Sequence, residues 1–205
     1  MQDYTTVRGT ASAEIEEKHS RFIASVSFAD TEQAALDFLA SVRAQHRTAR
    51  HNVYAYVLRE GNRTRYSDDG EPAKTAGLPV LEAIQHAGVT DCVVVVTRYF
   101  GGILLGTGGL VRAYTASAAA GLAAAEIVTV RSCVSVEITV EYSLYERAAL
   151  LFQQAGARLE EPVFSDKVFL RGIMPAGSEG GLLPALQQLT RGGQAKVSDP
   201  FYLPF

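Results

Sequence analysis

The chain has no tryptophan and, among 205 residues, only two cysteines, two methionines and four histidines. So few cysteines exclude a disulfide framework as the source of stability. Cys92 and Cys133 each lie in an apolar, strand-like run, so buried, reduced thiols are expected rather than a metal pair. Excess positive charge is also missing. The formal net charge is −3 and the isoelectric point about 5.8, which argues against a generally basic nucleic-acid coat. Local basic patches remain, at Arg43, Arg47 and Arg50 and at Arg59, Arg63 and Arg65. No stretch reaches the roughly 18 consecutive apolar residues of a membrane helix. The opening MQDYTTVRGT has no apolar signal core, so a cytoplasmic location without a membrane partner is expected.

Standard chemical motifs are lacking as well. No GxxxxGK[ST] occurs, and GxGxxG cannot be read across Gly106 and Gly108 because position 111 is Val111. There is no GxSxG, no HExxH, and no histidine near either cysteine. No complete catalytic set can therefore be read from the chain, and a binding role is favoured over an enzymatic one.

What is present centres on Asp91 to Tyr114. Cys92 to Val96 is an unbroken, β-branched apolar run, as expected of a strand buried on both faces. After Thr97-Arg98-Tyr99-Phe100 come Gly101, Gly102, Gly106, Gly108 and Gly109, then an alanine-rich helix expected over Leu110 to about Glu126 with Thr107 as its N-cap. Glycines at this density serve either tight helix–strand packing or the close approach of a ligand. In the second case, free N–H groups and the positive dipole end at Gly106 to Gly109, flanked by Arg98 and Arg112, form an anion site.

Upstream, Thr5–Glu17 and Arg21–Phe28 read as a hairpin, and the stretch after Thr31 as an amphipathic helix ending near His46. Asn52–Leu58 and Arg63–Ser67 read as a second hairpin, followed by a helix from about Ala76 to His86. Between them, Asp68, Asp69, Glu71 and Lys74 form an acidic loop whose spacing is not that of an EF-hand. Helix capping and pairing with Arg98 or Arg112 are expected of these carboxylates rather than metal binding. His51 opens a strand and is expected to play a hairpin or surface role.

Past residue 130 the pattern changes to strand 132–142, helix 144–155, strand 157–164, strand 167–174, helix 178–190 and strand 195–200, a βαββαβ order of ferredoxin-like type. Tyr142, Phe164 and Phe169 are expected to be mainly core residues. The fold class is therefore α+β in two domains, 1–130 and 131–205.

The blocks SDDGEP at 67–72, TAGLP at 75–79, VVVVTRYFGG at 93–102 and LGTGGLVRAY at 105–114, with Ser20-Arg21-Phe22-Ile23, resemble the signature of the IMPACT family in its bacterial YigZ-type branch. The resemblance extends over the whole chain. It implies an N-terminal α/β sandwich like the second domain of ribosomal protein five, and a ferredoxin-like domain similar to a C-terminal domain of elongation factor G. For bacterial members it implies a nucleic-acid or ribosome-linked activity, and together with the glycine loop it makes a non-enzymatic, translation-linked regulator with RNA or the ribosome as partner the leading expectation; the residues point to no cofactor or metal, and a protein partner in translation control is the other option. The site residues expected from the glycine loop and its surroundings are Arg98, Tyr99, Gly101, Gly102, Gly106, Thr107, Gly108, Gly109 and Arg112, supported by the acidic loop at Asp68, Asp69, Glu71 and Lys74. The alternative is an enzyme acting on a phosphate-containing metabolite with the same loop and the acidic segment. Lys74 departs from the family pattern, which usually has glycine there.

Overall fold

The structure, a computed structural model, describes residues 3–204. The chain divides into two compact units, Tyr4–Thr129 and the part from Val130 onward, which Asp3 joins.

The first unit is built on an antiparallel sheet of five strands: β2 (Thr10–Glu17), β3 (Ser20–Phe28), β4 (His51–Leu58), β5 (Arg63–Ser67) and β6 (Cys92–Tyr99), in the order β2-β3-β6-β4-β5. The stretch 5–17 is not one strand. Gly9, at φ +66°, breaks it into β1 (Tyr4–Arg8) and β2, and β1 stays outside this sheet. The β2–β3 connection is tight, with Lys18 and His19 both at positive φ. Helix α1 (Glu32–Gln45) is capped by the Thr31 hydroxyl, which accepts from the Ala34 N–H at 3.2 Å.

Helices α2 (Gly77–His86) and α3 (Thr107–Ala124) cover the sheet face opposite α1. Strand β6 is central and alternates between two cores. Cys92, Val94 and Val96 pack with Val80, Ile84, Ala113 and Tyr114, whereas Val93 and Val95 pack with Ala35, Leu39 and Val42. Burial on both faces explains why the run is apolar without alternation.

The long strand β7 (Glu126–Val140) carries the chain into the second unit, where it is followed by α4 (Tyr145–Gln154), β8 (Arg158–Leu159), β9 (Val163–Phe164), β10 (Val168–Pro175), α5 (Leu182–Leu189), β11 (Lys196–Val197) and β12 (Phe201–Pro204). The antiparallel order β11-β7-β10-β8 matches a ferredoxin-like βαββαβ sheet. The expected strand 157–164 is split, because Pro162 has no N–H for the ladder and interrupts pairing between β8 and β9. The C-terminal strand β12, which pairs with Val130–Cys133, is absent from the sequence reading. Helix α5 is shorter than expected, since Gly177, Gly180 and Gly181 precede it. Tyr142 and Phe164 are exposed rather than core, and stack on each other at 6.2 Å.

Candidate functional site

The strand register places the site at the end of β6. Arg98 stands opposite Phe22 of β3 on one side and His51 of β4 on the other. The alternation that sends Val94 and Val96 toward α3 sends Arg98 the same way. The consequence is an arginine that is only 7% exposed.

A charge that deeply buried needs a partner, and the acidic loop supplies one. Glu71, with a side chain 4% exposed, accepts from Nη1 of Arg98 at 2.7 Å and from the Tyr114 hydroxyl at 2.8 Å, both on Oε1. Tyr114 is edge-on to Phe22 at 5.2 Å, and the Arg98 guanidinium lies over the Phe22 and Phe100 rings. Burial, together with the neighbouring Glu71 carboxylate, pushes the Tyr114 phenol far above its ordinary pKa, so it acts as a donor. Sequence reasoning did not single out Tyr114; its only signal was its place in the block ending LVRAY.

The other acids have structural tasks. The Asp68 carboxylate accepts from the backbone N–H groups of Lys74 (2.8 Å), Ala76 (3.1 Å) and Gly77 (2.8 Å), and so caps α2 from nine residues upstream. The Asp69 carboxylate takes the Asn52 N–H at 2.6 Å and Nη2 of Arg43 at 2.7 Å, tying the loop to β4 and α1. The Asp69 carbonyl meets Nδ1 of His51 at 2.9 Å. A carbonyl can only accept, so Nδ1 carries a proton, and Nε2 is turned toward Glu71 at 4.0 Å. All three carboxylates thus have protein partners. The Lys74 side chain forms no ion pair with them, and its φ of +62° accounts for glycine being the easier residue at this position.

The glycine block divides by cause. A Cβ at Gly101 would lie 2.0 Å from the carbonyl carbon and oxygen of His19, and its N–H donates to the Ser20 hydroxyl at 3.1 Å. Gly102 and Gly106 have φ of +88° and +73°. A Cβ at Gly109 would come within 2.9 Å of the Leu105 Cβ. Gly108 alone has no such reason, since a Cβ there would meet only Nη1 of Arg112 at 3.7 Å. Thr107 is not the N-cap of α3. Gly106 holds that position, Thr107 is the first helical residue, and no side chain caps the helix. The reason is geometric: the chain enters α3 through a positive φ that suits glycine.

The two arginines expected to flank the loop do not share a surface. Arg98 lines a cavity of about 660 Å³ with Arg50, His51, Tyr99, Phe100 and Leu104. Arg112 lines a smaller one with Glu17, Lys18 and Gly109. Tyr99 is half-buried, with its hydroxyl 3.0 Å from Nδ1 of His46, while Phe100 is exposed. Arg50, part of a basic segment in the sequence, joins the Arg98 cavity without a carboxylate partner among the described residues.

Fold and site together define a class: α+β chains whose first sheet ends in a buried arginine clasped by an acidic loop, with a glycine-rich turn leading into the adjoining helix. The model of the Impact N-terminal domain matches residues 18–122. The chain is 43% identical to the "IMPACT family member in pol 5'region" of Thermus thermophilus, over 85% of this chain and 96% of that protein. It is 36% identical to the IMPACT family member YigZ of Escherichia coli, over 85% and 87%. Identity to the IMPACT family member YvyE of Bacillus subtilis is 46%, over 60% of this chain and only 57% of that relative. A crystal structure described as that of a hypothetical protein, 32% identical, superposes with a TM-score of 0.63 over 100% of this chain and 98% of the other. This chain belongs to the IMPACT family.

Proposed function

We propose that the protein is a non-enzymatic, translation-linked regulator that binds RNA or the ribosome through phosphate contacts along the turn Phe100–Gly109 and the arginines on either side of it. Family membership supports the regulatory, translation-linked part in general terms. The observation that carries the finer reading is the start of α3. The helix has no side-chain cap, Gly108 leaves its first turn open, and the Arg112 guanidinium stands beside it without a carboxylate partner among the described residues. Unused N–H donors next to a free cation suit a phosphate.

Filter binding of a single-stranded RNA at low and moderate salt tests this reading. Arg112→Ala and Arg50→Ala are each expected to weaken binding by about 1–3 kcal/mol, irrespective of sequence, and to flatten the salt dependence. Unchanged affinity in both folded variants would remove the phosphate reading.

The alternative, an enzyme acting on a phosphate-containing metabolite, draws support from one observation. His51, Glu71 and Arg98 converge at one end of the sheet, beside a cavity large enough for a small molecule.

A further inference from the structure

The cavity at the end of β6 has features that internal RNA phosphates do not require. The Arg98 side chain is 7% exposed, yet among the described residues only Nη1 has a hydrogen-bond partner, and Nε is buried without one. Buried donors in a folded protein are nearly always satisfied, and a guanidinium offers five of them in a fixed fork. Glu71 offsets part of the charge through Oε1 but is not among the residues that line the cavity. Arg50 adds a second, exposed cation to the lining, and no carboxylate faces it there. Phe100 at 55% exposure and Leu104 at 82% supply apolar surface at the same opening.

Building on the phosphate-binding reading above, we infer that this cavity takes the terminal phosphomonoester of a nucleotide, either free or at the 5′ end of an RNA. An internal phosphodiester carries a nucleoside on each side and must follow the protein surface. A terminal phosphate carries one, so it can reach a recessed guanidinium while its base rests on the exposed Phe100. The monoester also carries more charge than a diester, close to −2 near neutral pH, matching Arg98 and Arg50 together. A volume of about 660 Å³ is sufficient for one nucleotide unit.

Calorimetric titration of the full chain with adenosine 5′-monophosphate, adenosine, and a short RNA made with either a 5′-phosphate or a 5′-hydroxyl tests the inference. The phosphorylated member of each pair should bind about tenfold to a hundredfold tighter. Arg98→Lys keeps a cation against Glu71 but removes the guanidinium's spare donors, and Arg50→Ala removes an exposed group. Both are expected to erase most of that ratio, with circular dichroism confirming the fold. Equal affinity within each pair overturns the inference and leaves RNA binding standing if both RNAs bind. A ratio that survives both substitutions places the phosphate elsewhere and likewise overturns it. Tight adenosine 5′-monophosphate binding without RNA binding supports the cavity and sinks the RNA reading, and absence of binding by any probe sinks both.

Discussion

β6 in the first unit and β7 in the second are both central, valine-rich strands, but they end differently. β6 has helices on both faces and runs from Val96 directly into buried Thr97 and Arg98, where Thr97 donates to the Asn52 side-chain carbonyl at 2.8 Å. β7 packs Val134, Val136, Ile138 and Val140 against α4 and α5, and the buried polar residue of its unit is Ser135 alone among those described. Thr6, Ser20, Asn52, Thr75, Asp91, Arg98 and Ser117, all buried, belong to the first unit. A sheet covered on both faces can hold a buried polar network because loops and helices reach the strand end from two sides. The difference locates chemical capacity in the first unit and leaves the second with an apolar core and an exposed aromatic cluster at Tyr142 and Phe164.

Core truncations matched across the two units should separate the kinds of stabilisation most strongly. Glu71→Ala leaves Arg98 and Tyr114 without their shared acceptor and is expected to cost about 3–5 kcal/mol. Phe152→Ala, at a fully buried ring in the second unit, is expected to cost a similar 3–5 kcal/mol. The distinction appears on adding a second substitution. Arg98→Met in the Glu71→Ala background should recover part of the loss, because the orphaned charge is removed. Urea unfolding followed by circular dichroism measures these values, since there is no tryptophan to report. Additive losses at positions 71 and 98 would mean that the pair is not coupled.

Gly101→Ala comes next. Its Cβ would sit 2.0 Å from backbone atoms of His19, which cannot swing away as a side chain can. An expected loss of about 3 kcal/mol in the same assay would mark this glycine as a packing requirement. A neutral result would show that the β2–β3 turn yields readily.

What could be read from the sequence follows the range of the interactions. The buried strand 92–96, the glycine turn, the two hairpins and the βαββαβ order rest on local period and turn chemistry, and all recur in the structure. Partners set by register do not show in the sequence. That His51, Arg98 and Phe22 form one row depends on pairing residues up to 76 positions apart, whereas the Glu71–Arg98 pair falls within the pairing expected of the acidic loop. For that reason Arg98 read as an open flanking cation, although the fold buries it. The Thr107 cap failed on a positive φ one residue earlier, and Tyr142 and Phe164 failed because aromatic content in a strand does not reveal which face is covered.

Lys74→Gly tests the acidic loop on a smaller scale. Lys74 holds φ +62° while its N–H serves Asp68, so glycine relieves the left-handed conformation without removing the contact. A gain of up to about 1 kcal/mol is expected, partly offset by the extra freedom glycine gives the unfolded chain. Destabilisation by the substitution would show that the lysine side chain makes a contribution beyond its backbone.

The smallest expected effect is at Gly108, and it is the sharpest contrast with Gly101. Both belong to the same glycine-rich turn, yet Gly108 has an ordinary φ, lies in the first turn of α3 and has nothing nearer than Nη1 of Arg112, 3.7 Å from a built Cβ. Alanine is the better helix former, so Gly108→Ala should leave stability unchanged or raise it by up to about 1 kcal/mol. If the open first turn exists for phosphate approach, the same methyl should still weaken RNA binding severalfold, because it stands where the ligand reaches the Thr107–Gly109 N–H groups. Melting and filter binding on this one variant therefore pull apart. Unchanged binding in a protein at least as stable as the parent would leave Gly108 without a functional reason, and the phosphate contact would have to move from the start of α3 to the Arg98 cavity.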